Sequence, residues 1–129
     1  MAANPTFSWA EILSSPEFAA RSKQSQARIE QNYFKDFAPA EASKAFTDRG
    51  LNPDLGLAIL QRESGGDVNA ANPKSSAYGL FQLTKPAAQD VNVNRLIPSE
   101  NISGGADYFQ RMMKETGDVR KALAAYNQG

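Results

Sequence analysis

Apolar residues in this chain recur at helical spacing, and no segment sustains a two-residue alternation. The pattern therefore predicts a mainly α protein. Ser8 and Glu11 stand at capping-box spacing and predict a short helix, SWAEILS. Ser15-Pro16 is a second start signal, with Ser as N-cap and Pro at the first helical position. The helix it opens is expected to run to about Phe37, with Ile29, Tyr33 and Phe37 as its apolar stripe and Pro39 as its stop. A short helix, AEASKAF, is expected next, ending near Gly50. Asn52-Pro53 opens another, which Gly65-Gly66 closes. Residues 64 to 79 cluster Asn, Pro, Ser and Gly and predict a long loop with a small hairpin. Thr84 and Pro86 start a short helix. A longer one spans Pro98 to about Thr116 and stops at Gly117, and Asp118 caps the last, VRKALAAYN.

The composition shifts near Ser43. Before it the chain is polar and poor in Leu and Val; after it the helices are short and punctuated by glycine. Residues 1–42 read as an N-terminal helical arm and residues 43–129 as the functional domain. Hydrophobic residues make up 41% of the chain, enough for a real core. Lys and Arg total 14 and Asp and Glu total 14, a balance that argues against a nucleic-acid binder resting on excess cations. With no Cys and no His, disulfides, thiol nucleophiles, imidazole bases and the usual zinc sites are excluded. Proton chemistry falls to carboxylates, Lys or Tyr. No apolar stretch approaches a membrane span, and the N-terminus lacks the pattern of a signal peptide.

One carboxylate stands out. On a helical wheel at about one hundred degrees per residue, Asp54 and Gln61 mark the wet side of NPDLGLAILQRE, and Glu63 falls opposite them, between Ile59 and Leu60. An acid at the apolar side of a helix C-terminus is pushed toward its neutral form by burial and by the negative end of the helix dipole. That is the state a general acid needs. The glycines behind it permit a sharp turn and leave room for a bulky ligand. The spacing alone fits equally well a surface glutamate with Gly65 as an ordinary cap.

The company Glu63 keeps is more specific. YGLFQLT (residues 78–84), NISGGADYF (101–109) and ALAAYNQG (122–129) each read, taken singly, as ordinary buried or helical segments, with close packing at Gly104 and Gly105. In this order, after Glu63-Ser64, they resemble the lysozyme-like lytic transglycosylases of the soluble-transglycosylase type. The matching residues are Glu63-Ser64, Gly79-Leu80-Phe81-Gln82, Asn101-Ile102 with Gly105 and Tyr108, and Ala125-Tyr126-Asn127 with Gly129. Phe81 stands where Met is commoner, and Asp67 where Asn or a small residue is usual. The likeness covers about Ser43 to Gly129 and implies a lysozyme-like domain, expected to continue beyond Gly129 in a longer protein.

The resemblance implies a substrate, peptidoglycan glycan strands, and a reaction, cleavage of the β-1,4 bond between N-acetylmuramic acid and N-acetylglucosamine. Glu63 would protonate the glycosidic oxygen, the sugar's own N-acetyl carbonyl would stabilise the cationic carbon, and a 1,6-anhydro ring would close without water, cofactor or metal. Ser64 and Tyr126 would orient Glu63 or the N-acetyl group. Gln82 and Asn127 would bind substrate amides or hydroxyls. Tyr78 and Phe81 would offer apolar surface to sugar rings or belong to the core. A water-using muramidase, with Asp67 facing the cleft, is the alternative enzyme; a glycan-binding or structural virion component is the non-enzymatic one. Peptidoglycan lies outside the cytoplasm, so delivery by a phage virion is expected, with a secretion machine as runner-up. The arm and whatever follows Gly129 would join a larger assembly.

Overall fold

Why the N-terminal third folds as it does is set by caps and one proline. The computed structural model describes residues 5–128. Helix α1 (Trp9–Leu13) has the capping box its sequence predicts, with the Ser8 hydroxyl accepting from the Glu11 amide and the Glu11 carboxylate from the Ser8 amide. Helix α2 (Pro16–Ala19) starts at Ser15 as expected but lasts four residues. A further cap at Ser22, whose hydroxyl accepts from the Ser25 amide, opens the long α3 (Lys23–Asp48). Pro39 does not stop this helix. Lacking an amide hydrogen and crowding the carbonyl one turn back, it bends the backbone at Phe37 (φ −123°, ψ 16°), after which helix resumes. AEASKAF is thus the second half of α3. Continuity is rewarded by packing: Phe34, Ala38, Ala42 and Phe46, spaced by four, form one buried stripe along both halves.

The expected division at residues 42 and 43 therefore falls inside a helix, with no linker there. The N-terminal segment also shares the core. Trp9 lies edge-on to Phe18 and Phe34, at 5.5 and 5.4 Å between ring centroids, and tilted against Tyr33 at 5.4 Å. One Glu41 carboxylate oxygen accepts from the Trp9 amide (3.1 Å) and the Tyr33 hydroxyl (2.7 Å). Further along, Glu30 accepts from the Ser99 amide at 2.9 Å. It thereby satisfies an amide at the start of α6 (Pro98–Thr116), whose N-cap Ile97 has no side chain able to do so. The Arg49 guanidinium, at the other end of α3, meets Asp107 of α6 at 2.7 Å.

The remaining helices follow their start and stop signals closely. Asn52 caps α4 (Pro53–Glu63), Thr84 caps α5 (Lys85–Asp90), and Gly117 ends α6. Asp118 accepts from the Lys121 amide at the start of α7 (Val119–Gln128). Helix α4 packs against α3, and α6 lies between α3 and α7. Among the described residues no helix is long and apolar enough to cross a membrane. On α6 the buried stripe includes Ile102, Gly104, Gly105, Ala106, Phe109 and Met112, and one polar side chain, Asn101, with no exposed surface. The close packing expected at the paired glycines is present: a Cβ on Gly105 would stand 2.5 Å from the Phe81 ring.

Asn101 uses its whole amide. The oxygen accepts from the Phe81 amide at 2.7 Å, and the nitrogen donates to the Tyr78 and Arg95 carbonyls, both at 2.8 Å. It pins the loop before α5 and the turn after it to α6. Two substitutions test this packing. Gly105→Ala should cost about 1–3 kcal/mol through forced displacement of Phe81, measurable by urea denaturation. Asn101→Leu strands the Phe81 amide and the Arg95 carbonyl in the interior, while the Tyr78 carbonyl keeps the Leu83 amide, and should cost about 2–5 kcal/mol, seen as a lowered melting temperature. An unchanged melt in either variant would contradict the arrangement.

Candidate active site

The site is built where α4 ends. Ile59 and Leu60 are buried and Asp54 and Gln61 exposed, so the helix is rotated as its wheel predicts. Glu63, on the apolar side at the helix end, is half-buried. Burial raises its carboxyl above the ordinary glutamate range, and the neighbouring Arg62 charge opposes part of that rise. The chain then turns through Gly65 (φ 63°) and Gly66 (φ 91°), left-handed conformations that suit glycine. Ser64 braces this turn: its hydroxyl donates to the Leu60 carbonyl at 3.2 Å and accepts from the Gly66 amide at 3.1 Å.

The loop that follows folds back on itself. Tyr78 and Leu83 exchange two backbone hydrogen bonds, 3.0 and 3.1 Å, and the Gly79 amide donates to the Ala70 carbonyl at 2.8 Å. This is the small hairpin, reduced to isolated bridges Ala71–Tyr78 and Tyr78–Leu83. Gly79 has φ 81° and no room for a side chain, because a Cβ would meet the Asn101 amide nitrogen at 2.5 Å. Gln82 holds φ 50°, strained for a residue with a side chain. Its own amide nitrogen stabilises the turn by donating to the Ala70 and Gly79 carbonyls, each at 2.9 Å. The amide oxygen has no hydrogen-bond partner among the described residues.

Helix α7 closes the arrangement through Tyr126. Its hydroxyl donates to the Phe81 carbonyl at 2.7 Å, so the Phe81 residue is gripped on one side by Asn101 and on the other by Tyr126. The Tyr126 proton is held on strongly, by burial first and then by the nearby charge of Glu63. Tyr108 packs edge-on against the Tyr126 ring, 5.5 Å between centroids.

Not every residue expected to touch a ligand is free to do so. Phe81 has no exposed surface and lies 6.0 Å from the Phe46 ring, so it is core and offers nothing to a sugar. Ser64 is spent on its own turn, and Tyr126 grips the loop instead of Glu63. Tyr78 is half-exposed, with its hydroxyl on Asn69 at 3.0 Å. Asp67 is exposed and bonded to the Asn69 amide at 2.9 Å. It lines a surface groove with Gln31, Asn32 and Lys35 to which Glu63 does not contribute. Asn127 is exposed. With its amide oriented by its hydrogen-bonding partner, its oxygen accepts from both terminal guanidinium nitrogens of Arg62, at 2.8 and 3.1 Å. Gly129 lies outside the described residues. Two residues were given no role by the sequence, Asn101 and Arg62. The first was visible as a lone polar position in an apolar stripe; the second carried no such signal.

The model of the Transglycosylase SLT domain matches residues 41–129. A membrane-bound lytic murein transglycosylase F of Serratia proteamaculans (strain 568) is 40% identical over 80 residues, covering 56% of this chain and 16% of that protein. A transglycosylase of Enterobacteria phage PRD1 is 37% identical over 84 residues, 61% of this chain and 30% of that protein. A membrane-bound lytic murein transglycosylase F of Pseudomonas putida is 44% identical over 64 residues, 43% of this chain and 13% of that protein. The alignments thus span less than a third of each of these relatives. With the family match covering well over half of its length, and Glu63, Gln82, Tyr126 and Asn127 all inside it, the chain belongs to the Transglycosylase SLT domain family.

Proposed function

We propose that this chain is a peptidoglycan lytic transglycosylase and that Glu63 is its acid and then its base. The observation that carries the reading is a half-buried carboxyl at the end of α4 whose proton is retained by burial, inside the region matched by the family. In the proposed reaction Glu63 gives its proton to the glycosidic oxygen and the bond from the N-acetylmuramic acid anomeric carbon breaks. The N-acetyl carbonyl oxygen bonds to that carbon. The Glu63 carboxylate then removes the proton of the C6 hydroxyl, and O6 displaces the carbonyl oxygen to close the anhydro ring. One proton has moved from O6 to the leaving oxygen, and no water is consumed. Gln82 and Asn127 supply polar groups to the substrate, with Tyr78 at the loop surface; Tyr126 and Ser64 hold the frame.

Supporting the wider setting, the relatives include a phage transglycosylase. We place this chain's action at the bacterial cell wall, delivered by a virion.

Digestion of purified peptidoglycan tests the chemistry. Wild-type protein should release muropeptides ending in 1,6-anhydro-N-acetylmuramic acid, each lighter by one water than a hydrolysed product in mass spectrometry. Glu63→Gln should keep the fold and release none. Reducing ends in the wild-type products, or activity in Glu63→Gln within a few-fold of wild type, would overturn the assignment.

The pH dependence has a definite sign. The raised Glu63 pKa means that the acid form persists above the ordinary glutamate range, so the cleavage rate should fall only at a pH higher than an ordinary glutamate gives. The same shift acts on stability. The folded state binds the proton more tightly than the unfolded one, so the contribution is fully favourable below the unfolded pKa and is lost as pH rises through the folded pKa. Glu63→Gln should therefore gain stability relative to wild type between acid and neutral pH, measured by denaturation at several pH values.

A further inference from the structure

Asn127 is the residue whose side chain reaches across from α7 to α4. Its amide oxygen takes both arms of the Arg62 guanidinium, at 2.8 and 3.1 Å. A two-pronged grip of this kind fixes a guanidinium in plane and in place, which a single contact to a flexible side chain does not. Arg62 is exposed and takes part in no salt bridge among the described residues, so without Asn127 its long side chain is free to sample solvent. It directly precedes Glu63, at the end of a helix whose dipole already disfavours a negative charge.

We infer that Asn127 is a positioning residue that pins the Arg62 guanidinium at the end of α4, so that a fixed positive charge stands next to Glu63 when the carboxylate forms. This rests on the proposed role of Glu63 and adds a division of labour to it. Burial keeps the proton on the acid before reaction; the pinned cation steadies the carboxylate that proton transfer leaves behind. The two influences on Glu63 have these opposed directions.

The other ionisable groups near the site are accounted for. Tyr126 of α7 is the group on which the Glu63 charge acts, and it stays neutral. Tyr108 of α6 adjoins Tyr126. Asp67, in the loop after α4, and Lys35 of α3 line the groove to which Glu63 does not contribute.

The test is titration of the Glu63 side-chain carboxyl by nuclear magnetic resonance on the intact chain, beside the pH profile of kcat on peptidoglycan. Arg62→Gln should raise the Glu63 pKa by about one unit, the lower end of what one nearby charge contributes. Asn127→Ala should reproduce most of that rise, and Arg62→Lys, which keeps the charge but loses the fork, should behave like Asn127→Ala. The double variant Arg62→Gln/Asn127→Ala should rise no further than Arg62→Gln alone, and the falling limb of kcat should move with the titration. The inference is overturned if Asn127→Ala and Arg62→Lys both titrate as wild type. It is equally overturned if Asn127→Ala adds its own shift in the Arg62→Gln background. Should the wild-type chain release no anhydro product, the enzymatic reading fails, while the titration still decides whether Asn127 fixes the charge.

Discussion

The side chain of Asn101 is the constraint on which the rest of the site depends. It is a fully buried amide in an apolar stripe, and such a group is tolerable only when every donor and acceptor is matched. Its oxygen and nitrogen are matched by backbone groups of Tyr78, Phe81 and Arg95. The demand runs both ways: the loop must bring those groups to α6, and Gly79 must lack a side chain to let them arrive. Once Phe81 is fixed, its carbonyl is presented to Tyr126, and α7 is set against the loop. Asn127 then follows on α7, in reach of Arg62. A chain of short polar contacts thus leads from the first turn of α6 to the helix end that carries Glu63.

This gives the motif residues a different distribution of work from the one their sequence positions imply. Phe81, Tyr126 and Ser64 sit among the matched motifs, yet in the fold they shape the backbone around the site. Gln82 uses its nitrogen to stabilise its own strained turn, and on the proposed reading its oxygen serves the substrate. Among the described residues, Glu63 is the carboxyl that combines partial burial with a raised pKa. On the proposed reading the chemistry rests on this one group, and most of its neighbours hold geometry.

Much of this was legible before the fold was known, and the reason is local. Helix starts at Ser8, Ser15, Asn52 and Thr84 depend on a side chain bonding an amide a few residues away, and all of them are present. The rotation of α4 depends only on which residues are apolar. Pro39 was misleading because the local rule, that proline ends a helix, yielded to tertiary packing of Phe34, Ala38, Ala42 and Phe46. The polar composition before Ser43 hid the few aromatic residues, Trp9, Phe18, Tyr33 and Phe34, that tie the segment to the core. Phe81 as core and the pairing of Arg62 with Asn127 require knowing what lies across space, which no spacing along the chain reveals.

The kinked helix α3 has a consequence for how the molecule comes apart. The matched family region begins at residue 41, two-thirds of the way along that helix, just beyond its bend. Homology and cooperativity therefore draw their borders in different places. A helix shared across the border couples melting of the first half to melting of the second, because Phe34 and Phe46 lose their neighbours together. The unit that evolution recognises starts in the interior of the unit that unfolds.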